Sequence, residues 1–210
     1  MTKSLWDRFD KVQMKFLPRA LFDGRVFVVQ TEQEARKAVS YLLDQPVLGF
    51  DTETRPTFRP GPMNEVALLQ VATSDICFLF RLNRMGITDS LVRLLTAKSV
   101  KRVALSWRDD TNQLRRRRQF EMGQFIELQN YVRRFGIEDA SLQKLFANVF
   151  GQKISKSQQL SNWEADVLTE AQKRYASTDA WACLRLYEEL ERLEQTNDWE
   201  LKRHEETLSK

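Results

Sequence analysis

An α/β domain with a mixed central sheet flanked by helices is the fold class predicted here, and three observations predict it. Apolar runs of strand length recur near 26–30, 47–52, 66–72 and 76–81, the last three without a helical segment between them. Beyond them, helical periodicity alternates with strand-like runs near 101–105 and 125–128. A chain of 210 residues suits one domain with a sizeable core. Hairpin-like strands followed by alternating helices and strands fit a mixed sheet with helices packed on it.

Taken in order, Leu5, Trp6, Phe9, Val12 and Phe16 fit an amphipathic helix, so residues 1–24 are expected to form a helical N-terminal extension docked on the body. The main domain is expected over 25–195, with helices near 32–43, 88–97, 110–119, 141–150 and 169–194. The loop from Thr54 to Asn64 carries Pro56, Pro60, Gly61 and Pro62, which cannot continue a strand pair and place it at the border of a site. The longest helix repeats Ala171, Tyr175, Ala176, Ala180, Cys183, Leu184, Leu186, Tyr187 and Leu190 on helical spacing. A charged tail over 196–210 extends that helix or frays.

Strand alternation at the end of Val47 to Glu53 points Asp51 and Glu53 to one face. Paired carboxylates repel, and a divalent cation compensates them directly. Oxygen-only ligation suits magnesium or manganese, whereas zinc favours His or Cys ligands, which this chain barely supplies. Solvated acids at a strand end are the plain alternative. On the long helix Tyr175 and Asp179 are i and i+4, hence neighbours on one face. Asp is a middling helix former, and its place among Ala176, Ala180 and Trp181 asks for a reason. An exposed Asp beside a packed Tyr is again the alternative. After the strand ending near Ser106 a fourth acid can enter: Asp110 shares a helix face with Leu114, while Asp109 is better placed as an N-cap, which favours Asp110 over Asp109. Both acids capping the helix would be the structural reading.

The strings FDTE, NEVALLQVAT, WRDDTNQL, SLQKLF and KSQQLSNWEADVLTEAQKRYASTDAW, in that order, resemble the DEDD superfamily of 3′→5′ exonucleases. More narrowly they resemble its tyrosine subclass, to which ribonuclease D and the exonuclease domain of the Werner syndrome helicase belong. The resemblance runs from Val26 to Leu193, nearly the whole chain. It implies a ribonuclease H-like fold and a metal-dependent 3′→5′ exonuclease that releases nucleoside 5′-monophosphates from nucleic acid with a free 3′ end. It also implies two divalent cations, Mg2+ or Mn2+, held by Asp51, Glu53, Asp110 and Asp179, with Tyr175 holding the attacking water and Lys156 contacting phosphate. The histidine subclass is disfavoured, since the single histidine, His204, lies beyond the helix. Several relatives carry a base-stacking aromatic two positions after the second-motif acid, where this chain has Asn112.

Composition agrees with a polyanion partner. Lys plus Arg number 33 against 29 Asp plus Glu, a net charge of +4, and the visible cluster is Arg115 to Arg118, four charges that wrap round a helix and mostly form a solvated face. Cys77 and Cys183 have no metal-ligand spacing and read as buried thiols in a reducing compartment. Residues 1–21 contain Asp7 and Asp10 and no continuous apolar core, which fits neither a signal peptide nor a membrane anchor. The expectation is therefore a cytoplasmic protein with no membrane partner; a helicase or repair partner stays open. No appended RNA-binding helical domain is visible, which favours DNA. The alternatives are an RNA 3′-end trimming ribonuclease of the ribonuclease D type and a relative that binds nucleic acid without cleaving it.

Overall fold

A computed structural model describes residues 2–58 and 63–204. Residues 59–62, the middle of the proline-rich loop, and residues 205–210, the end of the charged tail, lie outside the described residues. The strands are β1 (Lys3–Trp6), β2 (Arg25–Val29), β3 (Val47–Thr54), β4 (Val66–Ala72), β5 (Ile76–Arg81), β6 (Lys101–Ala104), β7 (Ile126–Glu127) and β8 (Trp199–Lys202). The helices are α1 (Glu32–Leu43), α2 (Leu82–Met85), α3 (Asp89–Thr96), α4 (Trp107–Arg117), α5 (Leu128–Tyr131), α6 (Leu142–Phe150) and α7 (Glu170–Thr196).

Six strands form one sheet in the order β2-β5-β4-β3-β6-β7. Only β4 runs against its neighbours, pairing antiparallel with β3 and β5, while the other pairs are parallel. β4 is central and buried at all seven positions, as its near-continuous apolar sequence VALLQVA requires of a strand covered on both faces. On one face Leu48 and Phe50 of β3 pack with α1, α3 and α4 through Ala35, Leu42, Leu91, Leu94, Trp107 and Leu114. On the other, Leu68, Ala72, Cys77 and Leu79 meet Tyr175, Ala176 and Ala180 of α7. Farther along the same face, Val103 joins Cys183, Leu186 and Leu190 of α7 and Leu145 and Phe146 of α6.

The helices start where the sequence supplies caps. Thr31 with Glu34 and Thr169 with Gln172 form capping boxes at α1 and α7, satisfying backbone N–H groups left over in the first turn. At α4 the cap comes from elsewhere. Ser106 is left-handed, φ 60°, with no cap bond from its own side chain. Instead the Glu127 carboxylate accepts from the Ser106 and Trp107 N–H groups, both at 2.8 Å. α4 thus begins at Trp107, three residues before the expected start, because Trp107 buries its ring against Phe50 and Phe125. Asp109 consequently sits inside the first turn and is not the N-cap.

The ends of the chain also depart from expectation. In place of an amphipathic N-terminal helix, β1 pairs in parallel with β8, Lys3 opposite Trp199 through Trp6 opposite Lys202. Residues 13–16 form only a 3-10 turn. The extended form wins because its backbone groups find fixed partners: the Asn148 amide accepts from Trp6 N–H and donates to Trp6 C=O, and Asp139 accepts from Phe9 N–H at 2.6 Å. Leu5 is fully buried and Phe9 nearly so, but Val12 and Phe16 stay exposed. The charged tail likewise supplies β8 rather than more helix, after Asn197 ends α7 in a left-handed C-cap, φ 54°.

One glycine sets how closely α7 approaches the sheet. A Cβ built on Gly49 would lie 2.0 Å from the Ala180 carbonyl oxygen and 2.9 Å from the Leu184 Cβ. Gly49→Ala must therefore push the helix off the strand or bend it, at a cost of about 1–3 kcal/mol or more. Urea denaturation should show the midpoint falling with an unchanged slope; an unaltered midpoint would mean that the contact is softer than described.

Candidate active site

The alternation of β3 puts Gly49, Asp51 and Glu53 on the face that meets α7. Because Gly49 admits the helix so closely, Asp179, one residue before Ala180, is brought over the strand. The ligating oxygens of Asp51, Glu53 and Asp179 lie within 4.8 Å of one another. Tyr175 stands one turn before Asp179 on the same helix face, its ring 6.0 Å from the fully buried Trp163. These residues, with Lys156, Gln159, Ser106 and Ser141, line a cleft of about 390 Å³. Lys156 is thus beside the acids, and its charge acts on Asp179.

Asp110 stands apart from this triad. It belongs to α4, on the sheet face opposite α7, and accepts a hydrogen bond from the Thr52 hydroxyl. Thr52 points away from Asp51 and Glu53 by the same alternation that unites them. Asp110 thus meets the tip of β3 at Thr52, which also lines the cleft, and acts on Asp51 and Glu53 through charge. Neighbouring Asn112 is exposed and does not line the cleft, so no stacking group is supplied from that position.

Burial governs the protonation of the site. It lifts the Asp51 carboxyl well above its ordinary value, with the charges of Asp179 and Asp110 adding to the effect. Burial, then the charges of Asp51, Asp179 and Asp110, push Glu53 up to about 10. Asp179 is raised by burial to about 7, against the hydrogen bond from Tyr175 and the charge of Lys156, and Asp110 by burial to about 6, against the Thr52 bond. Burial and the neighbouring carboxylates of Asp179 and Glu53 raise Tyr175 too, so its hydroxyl keeps its proton at neutral pH and acts as a donor.

The chemistry of these donors fits hard divalent cations. All the clustered donors are carboxylate oxygens, and Asp179 Oδ1 is buried with no hydrogen-bond partner. A buried acceptor without a donor is costly and calls for a counter-charge. Several contributors carry no motif of their own. Gln70 lies directly opposite Asp51 on β4, wholly buried, with neither amide atom bonded. Thr52 holds Asp110, and Glu127 caps the helix that carries it. Gly49 could have been found by its position, two residues before Asp51. The arginine cluster serves the fold in part: Arg117 pairs with Glu65 at 3.3 Å and Arg118 with Asp89 at 2.5 Å.

Comparison with known proteins gives a consistent outcome. A family described as 3'-5' exonuclease matches residues 26–194. The mouse bifunctional 3'-5' exonuclease/ATP-dependent helicase WRN is 35% identical over 161 residues, 74% of this chain and 12% of that protein. The exonuclease mut-7 homolog of Aedes aegypti is 28% identical over 218 residues, 89% of this chain and 29% of that one. This chain thus spans well under two thirds of the length of these relatives. Among solved structures, the Aedes aegypti Nibbler EXO domain superposes with a TM-score of 0.71 at 24% identity, covering 90% of this chain and 92% of that one. Escherichia coli RNase D gives a TM-score of 0.67 at 21% identity over 83% of this chain and 51% of its own.

The raised carboxyls make stability depend on pH when no cation is bound. Asp179 ordinarily titrates at 3.8 and is lifted to about 7, so between these values the folded state holds a proton that the unfolded state has lost. Stability contributed by the protonated group is complete below the lower value and declines as pH rises, by about 1.4 kcal/mol per pH unit for one such group. In EDTA the melting temperature should fall across this window. Asp179→Asn should flatten the fall, and added Mg2+ or Mn2+ should restore stability most at its upper end. A melting temperature indifferent to both would show that the acids are not crowded.

Proposed function

Since this chain belongs to the 3'-5' exonuclease family, we propose that it removes nucleotides singly from nucleic-acid 3′ ends as nucleoside 5′-monophosphates, with DNA preferred and with Mg2+ or Mn2+ as cofactor. Its mixed sheet is the ribonuclease H-like arrangement that such activity uses. The observation that carries the proposal is the meeting of Asp51, Glu53 and Asp179 within 4.8 Å beside Tyr175, with Asp179 Oδ1 unpartnered.

Asp51, Glu53 and Asp179 would hold the cations together with Asp110, whose charge acts on Asp51 and Glu53. Bound there, divalent cations lower the pKa of water and offset negative charge on the phosphate oxygens. The remaining work falls to the protein. In hydrolysis the water oxygen bonds to phosphorus, the bond from phosphorus to the 3′ oxygen breaks, and the departing oxygen takes up a proton. The Tyr175 hydroxyl, kept protonated by burial and by the acids around it, orients water by hydrogen bonding and does not become the phenolate that a base would require at neutral pH. Trp163 packed on its ring restricts the phenol to that position. Lys156, lining the acidic cleft, supplies a positive charge of the protein's own to an incoming phosphodiester. The preference for DNA is supported by likeness to the DNA polymerase I of Aquifex aeolicus, 26% identical over 86% of this chain.

Asp51→Ala and Asp179→Ala should each lower kcat at least about a thousandfold, because several kcal/mol of charge stabilisation depend on them. Tyr175→Phe should lower kcat about a hundredfold with little change in KM, as a water-orienting group does. Persistent divalent-dependent release of mononucleotides by both acid variants would defeat the proposal. Side-by-side digestion of labelled single-stranded DNA, recessed duplex DNA and RNA should show DNA consumed fastest; faster loss of RNA would reverse the substrate assignment.

A further inference from the structure

A second cavity, of about 290 Å³, shares Tyr175 with the acidic cleft. The loop between α6 and α7 partitions the two: Lys156 and Gln159 line the cleft, whereas Ser155 and Ser157 line the second cavity. Two arginines from distant parts of the chain also line it, Arg19 from the N-terminal segment and Arg174 from α7, against an apolar wall that includes Leu21 and Ile154. Both arginines are exposed, and among the described residues neither forms an ion pair. The acid among the lining residues, Glu170, is already held by Lys173 at 2.8 Å. The cavity therefore presents two uncommitted guanidinium groups and two hydroxyls next to the tyrosine of the cleft.

Arg19 is placed firmly. It forms a parallel bridge with Lys153: Ala20 N–H donates to Lys153 C=O at 2.9 Å, and Lys153 N–H to Pro18 C=O at 2.9 Å. Three residues on, Phe22 N–H donates to the Thr178 hydroxyl on α7 at 3.1 Å. The N-terminal segment is thus strapped across the loop and helix that carry Lys156 and Tyr175. Arg19 also lies outside the residues 26–194 that match the exonuclease family.

We propose that this cavity is a backbone subsite, in which Arg19 and Arg174 hold a phosphodiester of the substrate strand adjacent to the one being cleaved. A guanidinium presents paired N–H donors that match phosphate oxygens, the Ser155 and Ser157 hydroxyls add further donors, and the apolar wall meets sugar carbons. The ligand's identity rests on the exonuclease reading above, whereas the phosphate chemistry rests on the cavity. The subsite grips the strand without touching the reacting atoms, so it governs affinity and length dependence rather than the chemical step.

The test uses the full chain and Arg19→Ala, Arg19→Glu and Arg19→Lys, with melting temperatures confirming that each is folded. Binding of a 5′-labelled single-stranded oligonucleotide is followed by fluorescence anisotropy in EDTA, and KM and kcat are measured separately with divalent cation. Arg19→Ala should raise Kd and KM about fivefold with kcat unchanged, in keeping with one partly exposed charge-assisted contact. The slope of log Kd against log salt should fall by about 0.7, one phosphate contact on a single strand. Arg19→Glu should do more, and Arg19→Lys should recover most of the loss. Unchanged Kd, KM and salt slope in folded Arg19→Glu would overturn the subsite. Thymidine 5′-monophosphate serves as a second ligand: Arg19-dependent binding of it as tight as that of the oligonucleotide would overturn the backbone assignment in favour of a product site. A wild-type protein that cleaves nothing, yet loses oligonucleotide binding in Arg19→Ala, would remove the exonuclease reading and leave the subsite standing.

Discussion

The contact between α7 and β3 at Gly49 is the constraint on which the site depends. With the Ala180 carbonyl and Leu184 seated where a side chain would otherwise be, the helix lies nearer the strand than any other residue at position 49 would permit. That proximity converts a sequence separation of more than a hundred residues into a carboxylate cluster measured in a few ångströms. The same proximity is what desolvates Glu53 and Asp179 and drives their titration upward. Packing and electrostatics are here one fact: the closeness that builds the ligand set is also what makes it unfavourable without a counter-charge.

The sheet can support such a strained cluster because its stability is drawn from elsewhere. β4 is buried along its whole length, and the face beneath α1, α3 and α4 is continuously apolar from Val39 and Leu42 through Phe50 to Leu114. The acids sit at the end of β3, past the parallel pairing of Val47 to Gly49 with β6, where the ladder to β6 has already stopped. Repulsion among them therefore acts on a strand tip and one helix turn rather than on the centre of the core. Functional sites commonly break the local rules that the remainder of a fold obeys.

Much of this was legible in the residues. Strand runs, capping residues and the i, i+4 spacing of Tyr175 and Asp179 are local signals, and local signals translate directly into elements and faces. Alternation paired Asp51 with Glu53 and helical spacing paired Tyr175 with Asp179, but the resemblance to the exonuclease family was what joined the two sets. Asp110 was identified as the acid facing inward from its helix, but not its engagement with Thr52, since which face of the sheet a helix covers is a tertiary matter. The Glu127 cap was illegible for the same reason, its partners at Ser106 and Trp107 lying twenty residues away. At the N-terminus the apolar spacing of Leu5, Phe9, Val12 and Phe16 suggested a helix, and tertiary partners overrode it. A segment whose backbone is claimed by β8, Asn148 and Asp139 has no use for its own helical bonds.

The pairing of β1 with β8 has a consequence for the order of assembly. It joins Lys3 to Trp199, so all the residues between them must be looped before the first of these bonds can close. Loop-closure entropy grows only slowly with length, by about 0.6 kcal/mol per doubling, but contacts this remote in sequence are among the last that a folding chain can collect. During synthesis Lys3–Trp6 must wait, unclasped, until Trp199–Lys202 have left the ribosome. The strap bearing Arg19 waits less long, since its partners are Lys153 and Thr178, but it too can close only after the strands of the sheet behind it have been made.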